Sequence, residues 1–203
     1  MNFLAHAFLA GDIETDRVGG VLGDFVKGPL PAGLPAGLAA GVALHRAIDS
    51  FADRHPAFAA SRARISATRR RVGGVLVDLF YDHLLAKAWG NYHALPLHVY
   101  AARTYAELAV HARELPAQAS EIAVSMRRGD WLSSYRDIAN VGDAIDRMSV
   151  YRMRRANPLS GGIEEYLADA EGFSEDFASF LPDALAFAQN WQATRQRVEP
   201  PAG

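Results

Sequence analysis

The sequence predicts an all-α protein, a single irregular helical bundle. Apolar residues recur at three- and four-residue spacing along most of the chain, the period of a helix with one buried face. Gly, Pro and Asn fall between these stretches, where helices end. Nowhere do two alternating runs flank a short Gly-containing turn, the mark of a β-hairpin. At 203 residues, half of them apolar, the chain suffices for one domain with a substantial core. No internal repeat or flexible linker divides it, so 1–203 is read as one domain.

The elements follow in order. Residues 2–10 read as a short buried helix, and Gly11, Gly19 and Gly20 punctuate a turn region after it. The piece 21–28, VLGDFVKG, sets Asp24 among apolar neighbours, and 29–37 is a Pro/Gly connector too short to join independent domains. The spacing predicts a helix over 38–54, with Leu44, Ile48 and Phe51 as its apolar stripe, and a second over 56–65. A long helix is expected over 68–89. Val72, Val75 and Val77 invite a strand, but the length of the run after Gly74 favours helix, ended by Gly90 and Asn91. Further helices are expected over 97–113, 116–128 and 140–155, the last stopping before Asn157-Pro158. A final helical stretch covers 163–194, with Pro182 as a candidate break, and the Pro-rich tail 195–203 is expected to fray.

Composition excludes several chemistries. The chain has no cysteine, so disulfides, thiolate metal sites and cysteine nucleophiles are out. A formal charge of -2 gives no push toward nucleic acid. The apolar start lacks a basic region and carries His6, unlike a signal peptide, and no apolar run nears the roughly 20 residues a membrane helix needs. The expected compartment is the cytoplasm.

Two predicted helices carry polar groups that do not suit simple core packing. On the first, His45, Asp49 and Asp53 share one face at i, i+4 and i+8. On the second, Asp78 and Asp82 share a face and His83 follows, inside the apolar run VLVDLFYDHLL. Burying like charges one turn apart is costly, and a divalent cation relieves the cost by accepting carboxylate oxygen and imidazole nitrogen. A sulfur-free, oxygen-rich set suits manganese, magnesium, iron or zinc, and such a site activates water against phosphoesters. Ordinary ion pairs and metal-free acid–base chemistry by the same groups are the alternatives. His6 reads either as a core histidine or as a ligand, and Asp24 either as a turn residue or as a ligand. Lys27, Arg46, Arg127, Arg128, Asp130, Trp131, Arg147, Arg152, Arg154 and Arg155 make a basic, aromatic-containing set that suits phosphate or an acidic partner.

The segments MNFLAHAFLA, GDFVKG, LHRAIDSFADRHP, VLVDLFYDHLLAKAW, DWLSSY and RMSVYRMRRANPL occur in that order across nearly the whole chain. Together they resemble the acyl carrier protein phosphodiesterase family. The resemblance implies metal-dependent release of 4′-phosphopantetheine from holo-acyl carrier protein, with manganese as the metal, and a distant kinship to helical HD-type phosphohydrolases. It implies catalytic roles for Asp24, His45, Asp49, Asp82 and His83, and a ligand set drawn from these with His6, Asp53 and Asp78. Asp49 or Asp82 is expected to take the proton of water, and His45 or His83 to bind metal or protonate the leaving serine oxygen. Two positions depart from the family pattern, Ala52 in place of a small hydroxylated residue and Gly23 in place of Ala. Asp82-His83 also reverses the HD order, so no HD ligand pattern is carried over. A phosphohydrolase of small diesters or nucleotides, and a non-catalytic protein binding an acidic partner, are the other expectations.

Overall fold

Helix α1 (Phe3–Leu9) is buried along its whole length. A helix buried on every side belongs at the centre of a bundle, and later helices pack around this one. The computed structural model describes residues 1–151 and 157–198, and among them there is no strand. Gly11, at φ 64°, makes the turn out of α1.

Helix α2 (Glu14–Leu22) corrects the reading of a turn region there, because Gly19 and Gly20 lie inside it. The glycines serve packing. A Cβ on Gly19 would lie 2.6 Å from the backbone of Gly41 and Val42 on α3 (Ala36–Arg54). A Cβ on Gly41 would overlap the Thr15 carbonyl of α2. The two backbones therefore touch. A 3₁₀ turn, Gly23–Phe25, leads out of α2 and carries Asp24.

Helix α4 (Pro56–Arg64) starts at a proline, with His55 Nδ1 accepting from the Ala57 amide at 3.2 Å. The expected long helix is α5 (Gly73–Lys87), shortened by 3₁₀ turns at Arg70–Val72 and Trp89–Asn91. Helices α6 (Leu97–Val110), α7 (Ala117–Arg128), α8 (Trp131–Ser134) and α9 (Ile138–Tyr151) follow. Arg152, Arg154 and Arg155 lie outside the described residues.

The last stretch breaks at Asp169 rather than at Pro182, giving α10 (Ile163–Ala168) and α11 (Ala170–Val198). Asp169 leaves helical geometry and its Oδ1 accepts from the Gly172 amide at 3.1 Å, starting the new helix. Pro182 stays within α11 on the exposed side, where the freed carbonyl of exposed Ala178 meets water. Residues 195–198, placed in the tail by sequence, remain helical, and Arg195 pairs with both oxygens of buried Asp16 at 2.8 and 2.9 Å.

One contiguous apolar cluster draws on residues from Met1 to Ala188. Among the described residues no helix is long and apolar enough to cross a membrane.

Candidate metal centre

Helical spacing places His45 and Asp49 one turn apart on α3, and the fold brings three further elements to them. Helix α1 supplies His6, whose Nε2 lies 3.0 Å from Asp49 Oδ1. His45 Nε2 lies 3.2 Å from Asp49 Oδ2 and 3.5 Å from Asp24 Oδ1 of the 3₁₀ turn. Helix α5 supplies Asp78. The Met1 α-ammonium sits between the carboxylates, 2.9 Å from Asp49 Oδ1 and 3.0 Å from Asp78 Oδ1. Donor atoms of His6, His45 and Asp49 all lie within 4.8 Å of one another. The two histidines are buried, Asp49 and Asp78 are partly covered, and Asp24 stands at the open rim.

The histidines are oriented by their second nitrogens. His45 Nδ1 is 2.8 Å from the Gly20 carbonyl, which can only accept, so Nδ1 carries a proton and Nε2 is directed at the carboxylates. This is the usual posture of a metal-binding imidazole. Gly23 makes the posture feasible, because a Cβ there would lie 2.5 Å from His45 Cγ. The departure from Ala at position 23 thus leaves room for the ring. The His6 ring stacks on His45 with centroids 3.9 Å apart, and its buried Nδ1 has no hydrogen-bond partner.

The charges are uneven. Burial opposes a proton on His45, but Asp24 and Asp49 outweigh it and raise the ring to about 9. Burial, then the neighbouring His45, lowers His6 to about 3. Burial likewise opposes the charge of Asp49, yet bonds from His45 and His6 hold it well below the usual carboxylate range. Interaction with His45 lowers Asp24 to about 2, whereas burial raises Asp78. Two imidazoles and three carboxylates around a space that already accepts a positive ammonium form a donor set suited to a divalent cation. The residues fit such an ion.

Three expected ligands do not join this group. Asp53, one turn beyond Asp49, is exposed and lies 3.7 Å from Arg62. Asp82 is fully buried, and its two oxygens accept from the amides of Leu4 at 2.8 Å and Ala5 at 2.9 Å. Burial raises Asp82 to about 7 against the pull of those amides. His83 turns the other way, with Nδ1 2.8 Å from the Tyr135 carbonyl and its ring edge-on to Tyr166. Neighbours one residue apart on a helix point about 100° apart, so Asp82 and His83 cannot share a target.

The basic set also divides. Lys27 lines the same cavity as Asp24 and Asp78. Arg147 and Trp131 line an apolar cavity next to it. Arg127 and Arg128 line a separate groove between α6 and α7. Arg46 donates to the Val26 carbonyl at 2.9 Å, pinning the segment after the 3₁₀ turn, and Asp130 accepts from Tyr105 Oη at 3.1 Å. Sequence reading missed the Gly20 carbonyl and Gly23. The only signal for them was a run of glycines inside an otherwise periodic stretch.

A family model described as acyl carrier protein phosphodiesterase matches residues 1–184. An acyl carrier protein phosphodiesterase of Photorhabdus laumondii is 32% identical over 196 residues, covering 94% of this chain and 96% of the relative. Relatives of the same name from Pectobacterium atrosepticum and Yersinia pestis are each 28% identical, over 95% of this chain and 100% of their own length. No solved structure matches the chain.

Proposed function

The chain belongs to the acyl carrier protein phosphodiesterase family, and from that premise we propose that it hydrolyses the phosphodiester between 4′-phosphopantetheine and the serine of holo-acyl carrier protein. The observation that carries this reading is the convergence of His6, His45 and Asp49 beside Asp24 and Asp78. His6, His45 and Asp49 hold a divalent metal, manganese by family likeness, with Asp78 completing the acidic wall. When bound, the ion supplies positive charge to the phosphoryl oxygens and lowers the pKa of water.

The chain's own groups divide the remaining work. Asp24, ionised and at the rim, accepts the proton of the attacking water. Lys27 donates to the phosphate oxygens. Water's oxygen bonds to phosphorus, the bond to the serine oxygen breaks, and that oxygen leaves with the proton that Asp24 took from water. The products are apo-carrier and 4′-phosphopantetheine. Asp82 and His83, expected to act on the reacting atoms, serve instead to position helices. The exposed Arg147 and Lys27 at the mouth suit the acidic surface of a carrier.

Mass spectrometry of holo-carrier incubated with this protein and manganese tests the reaction. The expected result is loss of the intact arm and appearance of 4′-phosphopantetheine, both abolished by chelation. An intact holo-carrier beside a folded, manganese-loaded protein would overturn the reading in favour of a smaller diester.

Metal loading has a predicted proton signature. His45, at about 9 in the metal-free protein, is protonated at neutral pH, and only its neutral form offers Nε2 to a cation. His6 is already neutral and contributes no proton. His45 should therefore release about one proton per ion, beside any lost by the Met1 ammonium that the ion displaces from Asp49, and affinity should rise at least about tenfold per pH unit until the pH passes the His45 value. Calorimetry in buffers of different ionisation enthalpy reads this number directly. Zero protons released would remove His45 from the ligand set.

A further inference from the structure

A polar and an apolar cavity lie side by side at the edge of the metal centre. The polar one, about 300 Å³, contains Asp24, Lys27 and Asp78. The other, about 210 Å³, is walled by Phe3, Phe25, Ile122, Trp131, Tyr135 and Ala144. Leu79 and Met148 line both, so the cavities adjoin. The sequence builds this arrangement in pairs. In Asn2-Phe3, Asp24-Phe25 and Asp78-Leu79 the first member lines the polar cavity and the second lines the apolar one. Successive side chains diverge by about 100° on a helix, which turns each dipeptide into a shared wall.

We propose that the apolar cavity is the binding site for the branched, dimethyl-bearing pantoyl unit of the prosthetic arm. This inference rests on the proposed reaction and assigns its specificity site. A phosphodiester has two substituents. The serine side is attached to a folded carrier, which cannot enter a space of about 210 Å³. The arm side begins with a methylene and a carbon bearing two methyl groups, directly beside the phosphate. That apolar, branched unit comes first along the arm, as the apolar cavity adjoins the polar one that holds Asp24 and Asp78. The size agrees. A dry cavity of about 150 Å³ accepts one benzene ring, so this one takes a branched unit of several carbons and not the whole arm. Trp131 and Phe3, with centroids 6.2 Å apart, give it an aromatic flank. Ser134 and Arg147 are the polar members of the wall and suit the hydroxyl and amide carbonyl that follow.

Pantetheine, which carries the arm without the phosphate, is the probe. Ligand-detected NMR with the full chain should show saturation transfer strongest at the geminal methyl protons. Ala144→Phe on α9 and Ile122→Phe on α7 fill the cavity from separate helices. Each should weaken pantetheine binding at least tenfold, since each buried methylene-sized group is worth about fourfold. Circular dichroism and manganese uptake of the variants show that they are folded. Absence of methyl saturation in the unmodified protein, or equal saturation in both folded variants, would overturn the assignment. Pantetheine binding by a protein that leaves holo-carrier intact would support the cavity and overturn the reaction. Arm release without any pantetheine recognition would do the reverse.

Discussion

Replacing Asp49 by Asn should lower turnover of holo-carrier at least about 1000-fold, equivalent to about 4 kcal/mol of transition-state stabilisation. Asp49 is the hub of the cluster: Oδ1 meets His6 and the α-ammonium, and Oδ2 meets His45. The amide keeps the shape and removes the charge. A neutral group does not offset the charge of a dication, so metal affinity falls with activity. The variant should carry little manganese after gel filtration, by elemental analysis, at a concentration that saturates the unmodified protein. The fold is expected to survive, since Asp49 is partly solvent-covered and its partners keep a hydrogen-bonding side chain. Substantial turnover with bound manganese would remove Asp49 from the centre.

Asp82→Ala should act through stability. It leaves the buried amides of Leu4 and Ala5 without an acceptor, and an unpaired buried N–H costs about 1–3 kcal/mol. Two such groups set a range of about 2–6 kcal/mol, and relief from burying the carboxylate favours the lower end. Urea unfolding of the metal-free variant should show this loss as a lower midpoint. Helix α1 starts at these amides, so its loosening also displaces His6 and weakens metal binding. The two substitutions are therefore separable. Asp49→Asn removes a donor of the cluster, with some metal-free cost from the lost counter-charge to Met1 and His45, whereas Asp82→Ala leaves the cluster's donors in place and acts on metal-free stability. A metal-free Asp82→Ala protein as stable as the parent, yet unable to bind manganese, would return Asp82 to the ligand set.

The reach of sequence reading follows the range of the forces involved. The i, i+4 relation of His45 and Asp49 is local backbone geometry, so one helix of the centre was legible from spacing alone. Helix ends were legible to within a few residues wherever proline or glycine marked them, as at Pro56. Pro182 misled because its effect depends on whether Ala178 faces water, a fact of packing. Gly19 misled similarly. A glycine that permits a turn and a glycine that permits backbone contact are the same letter, and only the crossing of α2 over α3 separates them.

Asp78 and Asp82 mark the boundary most clearly. Their spacing put both on one face of α5, as sequence alone determined. Tertiary structure decided that Asp78 meets a cation while Asp82, one turn on, meets the amide end of α1, a segment 78 residues away from it in the chain. Periodicity fixes the direction of a side chain, because it follows from bonds within one helix. What waits in that direction depends on which distant segment packs there, and no local pattern records it.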